Sequence, residues 1–192
     1  MNLYMLQLQP ITRKLKDFKL FKSLYAEAFP RSERAPFAFL FHIAKKDTVM
    51  FNAYYDKDVF VGFTYAITID DMAYLLYLAI KPEIRSKGYG AQILNYLQEQ
   101  YPNNRIVLNI ETEDENADNN ADRIRRKNFY LKNGYSLTSI YFKMNGNIYD
   151  VLVSNGTCSI DDFRHLCKKY MGRFIFTIYR PKIWEKTIVR SL

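Results

Sequence analysis

Three features of this sequence predict a mixed α/β fold, built on a central, mainly antiparallel sheet flanked by helices. Residues 49–55 and 60–69 and Met72–Ile80 are strand-like runs joined by short polar turns, which makes them an antiparallel meander. Residues 90–101 then carry helical spacing at Ile93, Leu94 and Leu97 and are followed by another strand-like run from Arg105, so the meander passes into a β-α-β unit. Asn145-Gly146-Asn147 separates two further runs, at Ser136–Met144 and 148–154, and predicts a closing hairpin.

Taken in order, residues 4–8 alternate as a short strand, and Thr12 is a candidate cap for a helix carrying Leu15, Phe18, Phe21, Leu24 and Tyr25 as far as Phe29. Pro30 stops it. Residues 29–36 form a polar, proline-bounded loop, and residues 37–45 make a second short helix. Met72–Ile80 is apolar at nearly every position, as a strand covered on both faces should be. After an acidic loop, Asn120–Lys132 reads as a helix closed by Asn133-Gly134. Residues 154–192 remain as an appendix with a helix starting at Ser159 and ending near Tyr170, then a last strand at residues 173–179. The expectation is a single domain over 1–192, with a core at 1–153 and an extension at 154–192 that packs on the core or on the partner of a homodimer.

Composition narrows the class of protein. The chain has 192 residues, 48% of them hydrophobic and 25% charged, with 7 Gly and 6 Pro, which excludes fibrous and disordered chains. Cys158 and Cys167 are the only cysteines and match no zinc or redox spacing, so both read as plain thiols of a reducing, cytoplasmic compartment. Asn2, Gln7 and Gln9 break up the apolar residues at the start, and no run of eighteen apolar residues occurs, which argues against a signal peptide and against a membrane span. The formal charge of +8 favours an anionic partner without choosing among nucleic acid, anionic surfaces and phosphorylated cofactors.

The segment Arg85-Ser86-Lys87-Gly88-Tyr89-Gly90 lies where the buried strand gives way to an amphipathic helix. Glycines there let the backbone approach a ligand, N–H groups at a helix start form an anion cradle, and Arg85 and Lys87 add positive charge. The residues alone fit a pyrophosphate site or a Gly-rich turn with solvated basic side chains. Within the longer stretch from Leu78 to Gly90 the sequence resembles the GNAT superfamily of acetyl-CoA-dependent N-acetyltransferases, and Asn128-Phe129-Tyr130-Leu131-Lys132-Asn133-Gly134-Tyr135 is similar to a second signature of that family. The inferred order of elements over 1–153 fits the same fold.

The resemblance implies an acetyltransferase using acetyl-CoA as cosubstrate, with no metal. Backbone groups of Leu78, Ala79 and Ile80 would bind the pantetheine arm, and Arg85 with the amides of Lys87, Gly88, Tyr89, Gly90 and Ala91 would hold the pyrophosphate. Tyr130 would assist the departing thiolate. Many family members carry Asn and Ala seven and four residues before this tyrosine, where the chain has Arg123 and Arg126. Positions 123, 126 and 130 share one helical face, so either arginine, Arg123 or Arg126, can reach a CoA phosphate or stay solvated.

An attacking amine must first lose a proton. For a lysine-like amine this costs roughly 4.6 kcal/mol at pH 7, against about 1 kcal/mol for an α-amine. Glu111, at the end of the strand from Arg105, is the first candidate to take that proton, and Glu33, in the loop that the resemblance implies helps form the acceptor pocket, is the second. The acidic run from Glu111 to Asp118 reads mainly as helix capping. The competing class is a non-catalytic module, either a CoA sensor or a basic RNA-binding protein. Against RNA, the aromatic residues fall within apolar strands and helices, and no RNA-binding signature is present. The acceptor is therefore expected to be a small-molecule or peptide amine.

Overall fold

The computed structural model describes residues 6–179 and 181–186. The elements, in chain order, are β1 (Gln7–Pro10), α1 (Phe18–Ala28), α2 (Phe37–Ile43), β2 (Val49–Asp56), β3 (Val59–Ile69), β4 (Met72–Ile80), a 3-10 turn (Pro82–Ile84), α3 (Tyr89–Gln100), β5 (Arg105–Glu111), α4 (Asn120–Lys132), β6 (Ser136–Met144), β7 (Asn147–Ser154), α5 (Ile160–Tyr179) and β8 (Lys182–Glu185). The strands follow the order β1-β2-β3-β4-β5-β7-β6-β8 in one sheet. Its pairings are mainly antiparallel, with β4 and β5 parallel as the crossover through α3 requires. This is the mixed sheet the sequence predicts.

Two compact units share the chain, one formed by Met1–Thr68 with Leu75–Gln100 and the other by Ile69–Tyr74 with Tyr101–Leu192. The first is held by aromatic rings. Phe21 meets Phe63 at 4.9 Å nearly edge-on, and Tyr25 meets Tyr77 at 5.1 Å in the same way, the arrangement ring quadrupoles favour. In the second unit, Phe163 of α5 is fully buried against Phe142 and Tyr74, at 5.5 and 6.4 Å between ring centroids.

Two expected elements differ. The first helix begins at Phe18 instead of near Thr12. The Thr12 hydroxyl accepts from the Lys14 amide and its carbonyl from the Leu15 amide, so this residue closes an isolated turn and does not cap α1. Residues 173–179, expected as a strand, are helical and belong to α5 beyond a bend at Gly172. A strand needs a neighbour, and the free edge of β6 is taken by β8 after Pro181, in the register Tyr141 to Trp184. The strand from residue 4 falls partly outside the described residues, which begin at Leu6.

Candidate functional site

In the first unit, β4 leads directly into the candidate cradle. After the turn Pro82–Ile84 the chain passes through Ser86 at φ 64° and Gly88 at φ 83° and enters α3 at Tyr89. Gly88 is exposed, its positive φ suits glycine, and a Cβ placed there would meet nothing within 4 Å. Open space therefore faces the backbone where an anion would approach. The first amides of α3 have no partner within the helix, and Lys87 stands exposed beside them.

Two side chains fix the ends of this turn. Arg85 Nε donates to the Ile80 carbonyl at 3.2 Å, folding its guanidinium onto the end of β4. The Tyr89 hydroxyl donates to Asp56 at 2.6 Å, and this bond with the carboxylate, followed by burial, raises the phenol above its ordinary range. Upstream on β4, Tyr77 donates to the Glu33 carbonyl at 2.8 Å and accepts from the Ala35 amide at 3.1 Å, while Tyr25 donates to the Ala35 carbonyl at 3.0 Å. Glu33 is thus set by its backbone against the strand carrying Leu78, Ala79 and Ile80. Nothing in the spacing of Tyr25 and Tyr77 announced that role.

Within the second unit, the parallel β4–β5 register pairs Met72 with Arg105, Ala73 with Ile106 and Tyr74 with Val107. Leu78, Ala79 and Ile80 are the last residues of β4, in the first unit.

In the second unit, Glu111 ends β5 and is only 7% exposed. Its Oε1 is 3.2 Å from Arg123 Nη2, and its Oε2 is 3.4 Å from Arg126 Nη1 and 3.3 Å from the Asn119 amide nitrogen. Arg123 also donates to the Thr112 carbonyl at 2.8 Å and to Asn119 at 2.9 Å. Glu113 pairs with Lys127 at 3.1 Å, and the Asn120 side chain accepts from the Asp114 amide, so much of the acidic run is spent on the start of α4. Arg123 is neither solvated nor extended outward; it is the main clamp on Glu111. The shared helical face of positions 123, 126 and 130 was legible, but their common partner was not.

Tyr130, one turn beyond Arg126, is buried with its ring 5.5 Å from Tyr135 and 5.1 Å from Phe129. Burial pushes its phenol up to about 12, with the Arg126 charge acting in the opposite direction. It is a neutral hydrogen-bond donor at ordinary pH.

The profile of the acetyltransferase (GNAT) family matches residues 18–135. The chain is a GNAT acetyltransferase. No curated protein sequence matches it. Among solved structures, this acetyltransferase is similar to a protein from Bacteroides thetaiotaomicron assigned to the GNAT family, at TM-score 0.70 and 25% identity over 90% of this chain and 98% of that one. It also shares its fold with an aminoglycoside 6'-N-acetyltransferase from Enterococcus faecium, at TM-score 0.58 and 19% identity over 77% and 96% of the two chains. A Bacillus subtilis acetyltransferase solved in complex with CoA has TM-score 0.57 and 13% identity over 79% and 99%. Membership of this enzyme family favours the transferase over the non-catalytic reading. No helix among the described residues is long and apolar enough to cross a membrane.

Proposed function

We propose that the protein transfers the acetyl group of acetyl-CoA to a primary amine by direct attack in a ternary complex. The observation that carries this reading is the turn from Arg85 to Gly88, open above Gly88 and feeding the first amides of α3. In this reading Arg85, Lys87 and the amides of Gly88, Tyr89, Gly90 and Ala91 hold the pyrophosphate. Backbone groups of Leu78, Ala79 and Ile80, at the end of β4 just before the cradle, bind the pantetheine amides.

The amine nitrogen attacks the thioester carbonyl carbon, the C–N bond forms, and collapse breaks the C–S bond. Tyr130 donates a hydrogen bond to the departing sulfur. With the phenol near 12 and an ordinary thiol near 8.5, full proton transfer to the thiolate would cost roughly 5 kcal/mol, so the tyrosine acts chiefly by charge stabilisation. Glu111 receives the amine's proton, directly or through water. Deprotonation costs less for an α-amine than for a lysine-like amine, so an α-amine acceptor asks least of this base. Arg126, 40% exposed, keeps part of its guanidinium available to a CoA phosphate. Glu33 faces the acceptor in this scheme, and residues 154–192 extend a catalytic core at 1–153. The buried thiols Cys158 and Cys167 accord with a cytoplasmic setting.

The test is CoA binding by calorimetry. Parent protein is expected to bind acetyl-CoA in the micromolar range, and a folded Gly88→Glu variant to lose binding because a side chain and a negative charge enter the cradle. Unchanged affinity in that variant would remove the cradle from the reading.

A further inference from the structure

A cavity lies on α5 and β8, beyond the residues matched by the family profile. The segments of α5 on either side of Gly172 are helical, whereas Gly172 itself has φ 74° and ψ 150°. A Cβ there would meet nothing within 4 Å, so the glycine serves the bend and not the space. In a straight helix Arg164 and Phe176 would be about 18 Å apart along the axis. Bent, the helix brings both to one cavity of about 600 Å³, completed by Lys168 and by Lys182, Ile183 and Trp184 after Pro181.

Among the described residues, the lining holds three cations, two aromatic rings and no carboxylate. Arg164 donates to the Ile183 carbonyl and pairs with Asp161, each at 3.3 Å, and Asp161 is itself well exposed. Lys168 Nζ stands 5.8 Å from the centre of the Phe176 ring. Among the described residues no acid pairs with Lys168 or Lys182. Trp184 leans on Tyr141 with ring centroids 5.6 Å apart. Lys168 and Lys182, with no acid beside them among the described residues, call for an anion, the half-buried rings of Phe176 and Trp184 offer surface to a flat aromatic group, and the volume is that of a small-molecule site.

We propose that this cavity binds a nucleoside monophosphate, with the phosphate on Lys168, Lys182 and Arg164 and the base against Trp184 and Phe176. The proposal does not depend on the catalytic reading. Trp184 is the only tryptophan in the chain, so intrinsic fluorescence reports on the cavity. Titrating GMP into the full chain with its cofactor site saturated by CoA is expected to quench that fluorescence saturably. Guanosine, which lacks the phosphate, should bind about tenfold more weakly, and Lys168→Glu and Lys182→Glu should each weaken GMP by a similar factor while leaving acetyl transfer unchanged. Gly88→Glu should keep the GMP response.

Linear quenching like that of free tryptophan overturns the proposal. So does saturable quenching untouched by both charge reversals, or quenching lost in Gly88→Glu, which would assign the signal to the cofactor cradle. A single-stranded oligoribonucleotide binding about a hundredfold tighter than GMP also overturns it, in favour of a nucleic-acid surface.

Discussion

Arg123 Nη2 lies 3.2 Å from Glu111 Oε1, with both side chains largely out of water, so the end of β5 is fastened to α4 by a buried charge pair. Removing the arginine leaves the carboxylate to Asn119 and the more exposed Arg126. Arg123→Met is expected to lower stability by about 3 kcal/mol, because a buried charge loses its principal partner. Urea denaturation measures this, and Arg123→Met combined with Glu111→Leu should recover most of the loss. A single variant as stable as the parent would show that the pair does not hold these elements together.

Tyr130→Phe keeps the ring packing and deletes the hydroxyl. Acetyl-CoA affinity should stay within about twofold, while turnover falls about 100-fold, the scale for removing one donor from developing negative charge. Single-turnover measurement isolates the chemical step. Parent-like rates there would take Tyr130 out of the mechanism.

Tyr77→Phe removes the hydroxyl that holds both Glu33 and Ala35. The lost hydrogen bonds should cost about 1–2 kcal/mol of stability. If residues 30–36 shape the acceptor site, KM for the amine should rise about tenfold while KM for acetyl-CoA stays put. Equal changes in both constants would point to a general loosening of β4.

Acid should loosen the start of α5. Arg105 bonds Asp162 at 2.7 Å, and this contact, helped by the Ser159 amide, pushes the Asp162 carboxyl down to about 2. Its folded value lies below its unfolded one, so the contribution is complete above about pH 4 and disappears as pH falls toward 2. Melting temperature followed from pH 5 to pH 2 should fall less steeply in Asp162→Asn than in the parent. Parallel curves would exclude this carboxylate as a source of acid sensitivity.

The legible parts of the fold were those where several local signals agree. The helix at Asn120–Lys132 is legible at its end because Asn133-Gly134 terminates it, and β4 because an unbroken apolar run is bounded by Asp71 and Pro82. Residues 173–179 misled because a short aromatic and β-branched run suits a strand as well as a buried helix, and only the occupation of the β6 edge by β8 decides. In the candidate site, the cradle was visible in its glycines and basic residues. The clamp of Arg123 on Glu111 was not, since it depends on how α4 lies over the end of β5. The same holds for Tyr77, whose partners are more than forty positions away.

Arg105 also has a consequence for how the chain comes into being. Its guanidinium joins Asp71, in the turn before β4, to Asp162 at the start of α5 and to the Thr157 carbonyl. Asp71 leaves the ribosome long before Asp162, and β5 must wait for β7 on its other side. The second unit therefore cannot close early in synthesis: β5 lacks its antiparallel neighbour until β7 emerges, and Arg105 lacks Asp162 until α5 does. Nascent chains stalled before α5 should hold a finished first unit and an open second one, a form for chaperones to recognise.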